Sequence, residues 1–162
     1  MSESPAQNDP RLDRHSPLKP GNAVAAIITV EGRYLLQHRD AKFGIWFPCV
    51  WGCFGGGIED NETLDEALVR EVEEELGIRL KPNDYRPFTR FDFDFAFAGA
   101  PRIWREFYDV RISPAQFDAI RLGEGQNFAL HEADIILTRA IDMTPYDEFA
   151  LWMHINQCRI TP

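Results

Sequence analysis

No apolar run in the 162-residue sequence approaches the ~18 residues that a membrane-spanning helix needs, so no such helix is expected. The polar N-terminus lacks the apolar centre of a secretory signal. Cysteine is scarce: Cys49, Cys53 and Cys158 are odd in number and form no disulfide framework. Reduced thiols and a cytoplasmic location are the expectation. Cys49 and Cys53 have no second Cys/His pair to complete a zinc site. Positive charge is also short. Seventeen Lys and Arg face 26 Asp and Glu, a net charge of −9. Such a surface repels nucleic-acid backbones and anionic lipids, which argues against a polymer or membrane partner. A polyphosphate would be repelled too, unless cations bridge it to the carboxylates. There are no repeats, and His15, His38, His131 and His154 are scattered, as packing or surface residues are.

The hydrophobic share, 44%, is that of an ordinary globular protein, and the length suits one domain. Residues 1–20 are polar and carry four prolines, the composition of a flexible tail, leaving residues 21–160 as the domain. Ala23–Val30 and Arg33–His38, separated by Glu31-Gly32, read as a hairpin. The aromatic loop that follows holds Phe43, Trp46, Phe47, Trp51 and Phe54. From Tyr85 to Phe97, Phe91, Phe93, Phe95 and Phe97 alternate with smaller or polar residues. That spacing predicts a strand whose aromatic face joins the core, with a nucleobase platform as the alternative. Ile103–Ile112 returns as its partner. Ser113-Pro114 opens a short helix, Asn127–Leu130 is a strand, and His131–Arg139 a short helix. Thr144 caps a last helix with Pro145 at its first position; Phe149, Trp152, Met153 and Ile155 give it an apolar side.

The most informative stretch is Gly56–Ile78. Thr63 and Glu66 form a capping box, Gly77 is a left-handed stop, and Leu64, Ala67, Leu68, Val72 and Leu76 make one apolar face. Beside that face, Glu71, Glu74 and Glu75 share a stripe. Adjacent carboxylates destabilise a bare helix, but clustered carboxylate oxygens are what a hard divalent cation such as Mg²⁺ takes. Arg70 stands four residues before Glu74, close enough to pair with it and fix its direction. A solvated acidic face is the ordinary meaning of a charge run; the glycines before and after this one favour a built site.

Gly56, Glu62, Arg70, Glu71, Val72, Glu74, Glu75, Gly77 and Ile78 fill every defined position of the Nudix box, Gly-x5-Glu-x7-Arg-Glu-U-x-Glu-Glu-x-Gly-U with U bulky and apolar. On this stretch the chain resembles the Nudix hydrolases. The resemblance implies an α/β fold, an α/β/α sandwich with a mixed sheet, over residues 21–160. It implies metal-dependent cleavage of a diphosphate bond in a nucleoside diphosphate linked to another group. Mg²⁺ is the expected cofactor, with Mn²⁺ as substitute. The implied metal ligands are the Gly55 carbonyl, Glu71, Glu74, Glu75 and Glu124, the last in a Glu-Gly-Gln loop similar to one in the family's 8-oxo-dGTP pyrophosphatases. The implied catalytic residues are Glu71, Glu74, Arg70 and Glu124, with Glu71 or Glu124 taking the proton. Arg39 and Lys42 match basic residues that meet substrate phosphates, or are solvated cations.

Two departures stand out. Phe54 replaces a usual proline, which could divert the loop before the box. Asp147 falls where 8-oxoguanine-reading members carry asparagine; aspartate has no amide donor, which counts against that substrate. Signatures of the coenzyme A, NADH, ADP-ribose and dinucleoside polyphosphate members are not apparent. A nucleoside triphosphate or nucleotide sugar is therefore the expected small-molecule partner. A mannosyl-type nucleotide-sugar hydrolase, a nucleotide-sensing module without turnover and an isopentenyl diphosphate isomerase are the alternatives. A second copy of the chain, against which the tail could pack, stays open as a partner.

Overall fold

A computed structural model describes residues 21–41 and 45–160. The expected tail over residues 1–20, Lys42 and Phe43 lie outside the described residues. β1 (Ala23–Val30) and β2 (Arg33–His38) form the expected hairpin, with Ile28 opposite Leu35 and Val30 opposite Arg33. Glu31 and Gly32 supply the positive φ angles of the turn, 49° and 83°. On its other edge β1 runs parallel to β5 (Arg102–Arg111), which pairs antiparallel with β4 (Tyr85–Asp94). β2 also pairs with β6 (Asn127–His131). The sheet is therefore mixed, as expected.

The central strand is apolar on both faces because both are covered. Val24, Ala26 and Ile28 face α1 (Leu64–Leu76), meeting Ala67, Leu68, Val72 and Leu76 together with Tyr108 and Val110. Ala25 and Ile27 face α4 (Pro145–Ile155), meeting Ala150, Leu151 and Phe107. Alternation along β1 sends successive residues to opposite layers. Each fully buried Leu contributes about 1.5–3 kcal/mol of transfer free energy. α1 is bounded as its sequence dictates: the Thr63–Glu66 capping box closes its start, and Gly77, at φ 68°, ends it.

Three expectations fail. β4 stops at Asp94, because the Asp94 carboxylate accepts a hydrogen bond from Ala96 N (3.0 Å) and turns the chain into a 3₁₀ turn at Ala96–Ala98. Phe95 and Phe97 thus leave the strand alternation. α4 is turned from the face expected: Asp147, Ala150, Leu151 and His154 are buried and Ile155 packs on the core as expected, while Phe149 and Trp152 are about half exposed, at 52% and 48%. The two polar residues go inside because buried partners await them there. Thr144 occupies the N-cap position, but its hydroxyl donates to the Asp147 carboxylate (2.7 Å) instead of capping a backbone N–H. Short helices α2 (Pro114–Asp118) and α3 (Ala133–Leu137) fall inside the expected windows, and α5 (Gln157–Ile160), unanticipated, follows α4. No helix of the described residues is long and apolar enough to cross a membrane.

Candidate active site

The site begins where the β1–β2 hairpin opens. In register, Ala26 would face Gln37; instead β3 (Trp51–Gly52) and the glycine loop wedge between the strands. Gly52 pairs with Gln37 and Phe54 with Ala26. Val24 N donates to Gly56 O (3.0 Å) and Ala26 N to Phe54 O (2.9 Å), which leaves the intervening Gly55 carbonyl outside the β1 ladder. Gly55 has φ 122°, and a Cβ there would run into the Val24 carbonyl, so only glycine takes this path. Phe54, which stands where the family pattern has proline, is fully buried in the core beside Val24 and Leu68.

The last two turns of α1 bring the carboxylates up to this loop. Glu75 is 6% exposed; one oxygen accepts from Gly55 N (2.6 Å), the other from Gln37 Nε2 (3.3 Å). Gln37 Nε2 also donates to Glu124 O (3.0 Å). The 121–126 loop is strapped to the end of α1 by Arg121 N to Leu76 O (2.9 Å) and Gly123 N to Glu75 O (2.8 Å). Gln37, Arg39, Asp40, Gly55–Gly57, Glu71, Glu75, Glu124 and Gly125 therefore line one pocket of about 320 Å³. Burial pushes the Glu75 carboxyl up to about 8, the Gly55 N–H opposing and the negative charges of Glu71 and Glu124 adding to it. Burial also raises Glu71, against the pull of Arg70.

Arg70 organises the rim. It bonds Glu62 through Nε (2.9 Å) and Nη2 (2.8 Å), the Gly57 carbonyl (2.9 Å), Glu71 (2.7 Å) and Glu74 (3.2 Å). The expected Arg70–Glu74 pairing is present, but Glu74 is 62% exposed and does not line the acidic pocket. Glu71 and Glu74 are both drawn onto Nη1 of Arg70. Among the described residues no three His, Cys, Asp or Glu side chains converge closely enough to hold a metal ion as they stand. The donor chemistry nonetheless fits a hard divalent cation. Glu71, Glu75, Glu124 and the glycine loop surround one pocket, and Glu75, desolvated and held well above its ordinary range, makes no ion pair among the described residues.

A second pocket, about 470 Å³, adjoins the first. Arg39, Ile45 and Gly55–Gly57 line both. Its walls are Trp46, Phe93, Phe95, Ile103 and Tyr146, with Arg105 among them. Trp46 meets Phe95 edge-on at 4.4 Å, and Phe93 stacks on Phe95 at 15°. Phe93 and Phe95 are therefore pocket wall, whereas Phe91 packs on the core as expected. Arg39 is no solvated cation: Nε and Nη2 bond the carbonyls of Phe47 (3.2 Å) and Trp46 (3.1 Å) and fix the aromatic loop. Asp147 lines neither pocket. It is fully buried, accepting from Cys53 N (2.9 Å) and Thr144 Oγ1 (2.7 Å). Sequence reasoning missed Gln37 and Tyr146; Arg105, which reads from sequence as a surface arginine or a phosphate contact, is mostly buried in the pocket wall. The signal for Arg105 was an arginine on the inward face of a strand.

Comparison with known proteins bears on the family and the fold. The NUDIX domain model matches residues 19–149. A nucleoside triphosphatase NudI of Enterobacter sp. (strain 638) is 45% identical over 66 residues, 41% of this chain and 46% of that protein. The chain thus matches about half the length of this curated relative. A structure from a study of MutT from Aliivibrio salmonicida and Vibrio cholerae superposes with TM-score 0.65 at 25% identity, covering 86% of this chain and 99% of that one. The NUDIX domain of Shewanella oneidensis NrtR, solved with ADP ribose, superposes with TM-score 0.68 at 14% identity, covering 96% and 99%. That likeness is one of fold.

Proposed function

We propose, starting from a chain that belongs to the Nudix family, that it hydrolyses a nucleoside triphosphate to the monophosphate and pyrophosphate. The observation that carries this reading is the pair of confluent pockets: acidic and glycine-lined at one end, aromatic at the other, with Arg39 and Gly55–Gly57 common to both. A polyphosphate needs cations and backbone N–H groups; a base needs ring faces, and aromatic stacking is worth about 1–3 kcal/mol per base. The NudI relative, a nucleoside triphosphatase by name, supports the same class.

Glu71, Glu74, Glu75 and Glu124, with the Gly55 carbonyl, would hold Mg²⁺ or Mn²⁺. When bound, the ion supplies charge neutralisation for the polyphosphate and acidifies the attacking water. The chain's own groups do the rest. Gln37 and Gly55 N–H orient Glu75. Arg70 sets the directions of Glu71 and Glu74 and ties the helix to Gly57 and Glu62. For Glu74 to serve as a ligand, Arg70 must release it into the pocket. Glu71 or Glu124 takes the proton of the water that adds to phosphorus as the bridging P–O bond breaks. The aromatic pocket holds the base and excludes water from it.

The test is a product screen with Mg²⁺, using nucleoside triphosphates, nucleotide sugars and ADP-ribose side by side, with Glu71→Gln as the inactive control. Monophosphate plus pyrophosphate is expected. Cleavage of nucleotide sugars alone overturns the substrate class; tight nucleotide binding without products identifies a sensing module.

A further inference from the structure

The charged side chains that line the aromatic pocket among the described residues, Arg39 and Arg105, have one sign; the Trp46 indole N–H and the Tyr146 hydroxyl are its uncharged polar groups. Stacking on Trp46, Phe93, Phe95 or Tyr146 tolerates every base, since every base has a ring face. Selection must come from the hydrogen-bonding groups. Arg39 is committed to the Trp46 and Phe47 carbonyls. Arg105 remains. It projects from β5, its side chain only 13% exposed, with Phe107 and Tyr146 rings 5.8 and 5.2 Å from the guanidinium carbon. Its Nε lies 3.5 Å from Asp147 Oδ1, but the alignment is poor: both atoms are buried and neither makes a hydrogen bond among the described residues. Asp147 cannot turn into the pocket, because its other oxygen is clamped by Cys53 N and Thr144 Oγ1 and Gly52 closes against it. The carboxylate balances the guanidinium charge without using up its donors.

Arg105 lines the aromatic pocket, and one of its donors, Nε, is buried without a hydrogen bond among the described residues; acceptors on a ligand would offset the cost of a desolvated guanidinium. We infer that Arg105, positioned by Asp147, selects the base: it takes bases whose edge offers carbonyl acceptors, guanine, thymine or uracil, over adenine. Guanine presents O6 and N7 to an arginine fork, and thymine and uracil present O4; adenine turns an amino donor toward the same donors. Cytosine, with one carbonyl and one amino group, falls between. Asp147 acts through Arg105 and does not read the base. This inference rests on the nucleoside triphosphate reading of the same site.

The test is the ratio of kcat/KM for dGTP or dTTP over dATP, measured on one preparation so that the folded fraction cancels. The native chain is expected to favour dGTP over dATP by about 5- to 150-fold, the range that one bidentate arginine contact supports, and dTTP, which offers O4 alone, by less. Arg105→Met should bring the ratio close to one, mainly through KM. Asp147→Asn, which keeps an acceptor for Cys53 and Thr144, should lower it in the same direction by less. Dissociation constants of dGMP, TMP and dAMP, from calorimetry, read the same preference without turnover and so survive failure of the proposed reaction. A native ratio at or below one, in rates or in binding, overturns the inference. So does an Arg105→Met variant that weakens all bases equally, which would assign Arg105 to phosphate.

Discussion

Replacing Gly56 by alanine isolates the placement of one carboxylate. A Cβ at residue 56 would stand 2.6 Å from Glu71 Oε2 and 2.7 Å from Oε1. Ordinary contact begins at 3.4 Å, so the carboxylate must retreat by nearly an ångström. It can do so, because what it meets is the end of a flexible side chain. Retreat strains or breaks the 2.7 Å bond from Arg70 Nη1. A charge-assisted hydrogen bond of this kind contributes about 1.5–3 kcal/mol, which lowers Tm by roughly 3–12 °C in a domain of this size. Misplacing a catalytic group by ~1 Å costs about 100-fold in rate. Gly56→Ala is therefore expected to keep its fold and lose about two orders of magnitude in kcat/KM. Gly55→Ala is the contrast: its Cβ meets backbone, at a φ that L-residues rarely adopt, and the protein should fail on stability before activity can be measured. Circular dichroism melts beside steady-state pyrophosphate release decide the matter. A Gly56→Ala enzyme within threefold of native activity would refute the assignment of Glu71 to the reaction.

Other tests bear on the carboxylates and on the opposite layer. Saturating Mg²⁺ or Mn²⁺ at about 100 Kd should raise stability by ~2.7 kcal/mol, roughly 5–10 °C in Tm; Glu75→Gln should lose most of that rise, as scanning calorimetry would show. Arg70→Met removes contacts to Glu62, Glu71, Glu74 and the Gly57 carbonyl and should cost about 1.5–3 kcal/mol, the worth of one hydrogen bond to a charged group, part of it restored by divalent metal; a denaturant midpoint unchanged in the variant would count against a structural role for the arginine. His154 Nδ1 is hydrogen-bonded with the Tyr34 hydroxyl (3.0 Å), and its Nε2 faces Asp109 Oδ1 at 3.3 Å. Burial, aided by Arg111 and Arg86 and opposed by Asp109, holds its pKa below the ordinary 6.5. The unfolded chain therefore takes up this proton first, so its contribution is full above 6.5 and is lost as pH falls below it, at no more than ~1.4 kcal/mol per pH unit. Glu75, raised, acts with the opposite sign between 4.5 and about 8. The measurement is thus the difference in pH slope between the native chain and His154→Gln, with less acid destabilisation expected in the variant.

The sequence by itself determined the local elements of this protein and the inventory of its acidic site. Capping box, αL stop and apolar stripe are short-range properties, so the limits of α1 followed from Thr63, Glu66 and Gly77. The hairpin followed from Glu31-Gly32. Three glutamates at helical spacing put carboxylates on one stripe of α1, and Glu71 and Glu75 line the acidic pocket, while Glu74 stays outside it. Only the tertiary structure decided which partners lie across the sheet. The buried face of α4 depends on Asp147 and His154 meeting Arg105 and Asp109, residues about forty positions away in the chain, where periodicity reads polar side chains as solvent-facing. Likewise Phe91 and Phe95 look alike in sequence; the Asp94 turn makes one core and the other pocket wall. The confluence of the two pockets belongs to neither segment alone. It arises because the glycine loop wedges between β1 and β2, and no pattern along a single strand carries the position of a third.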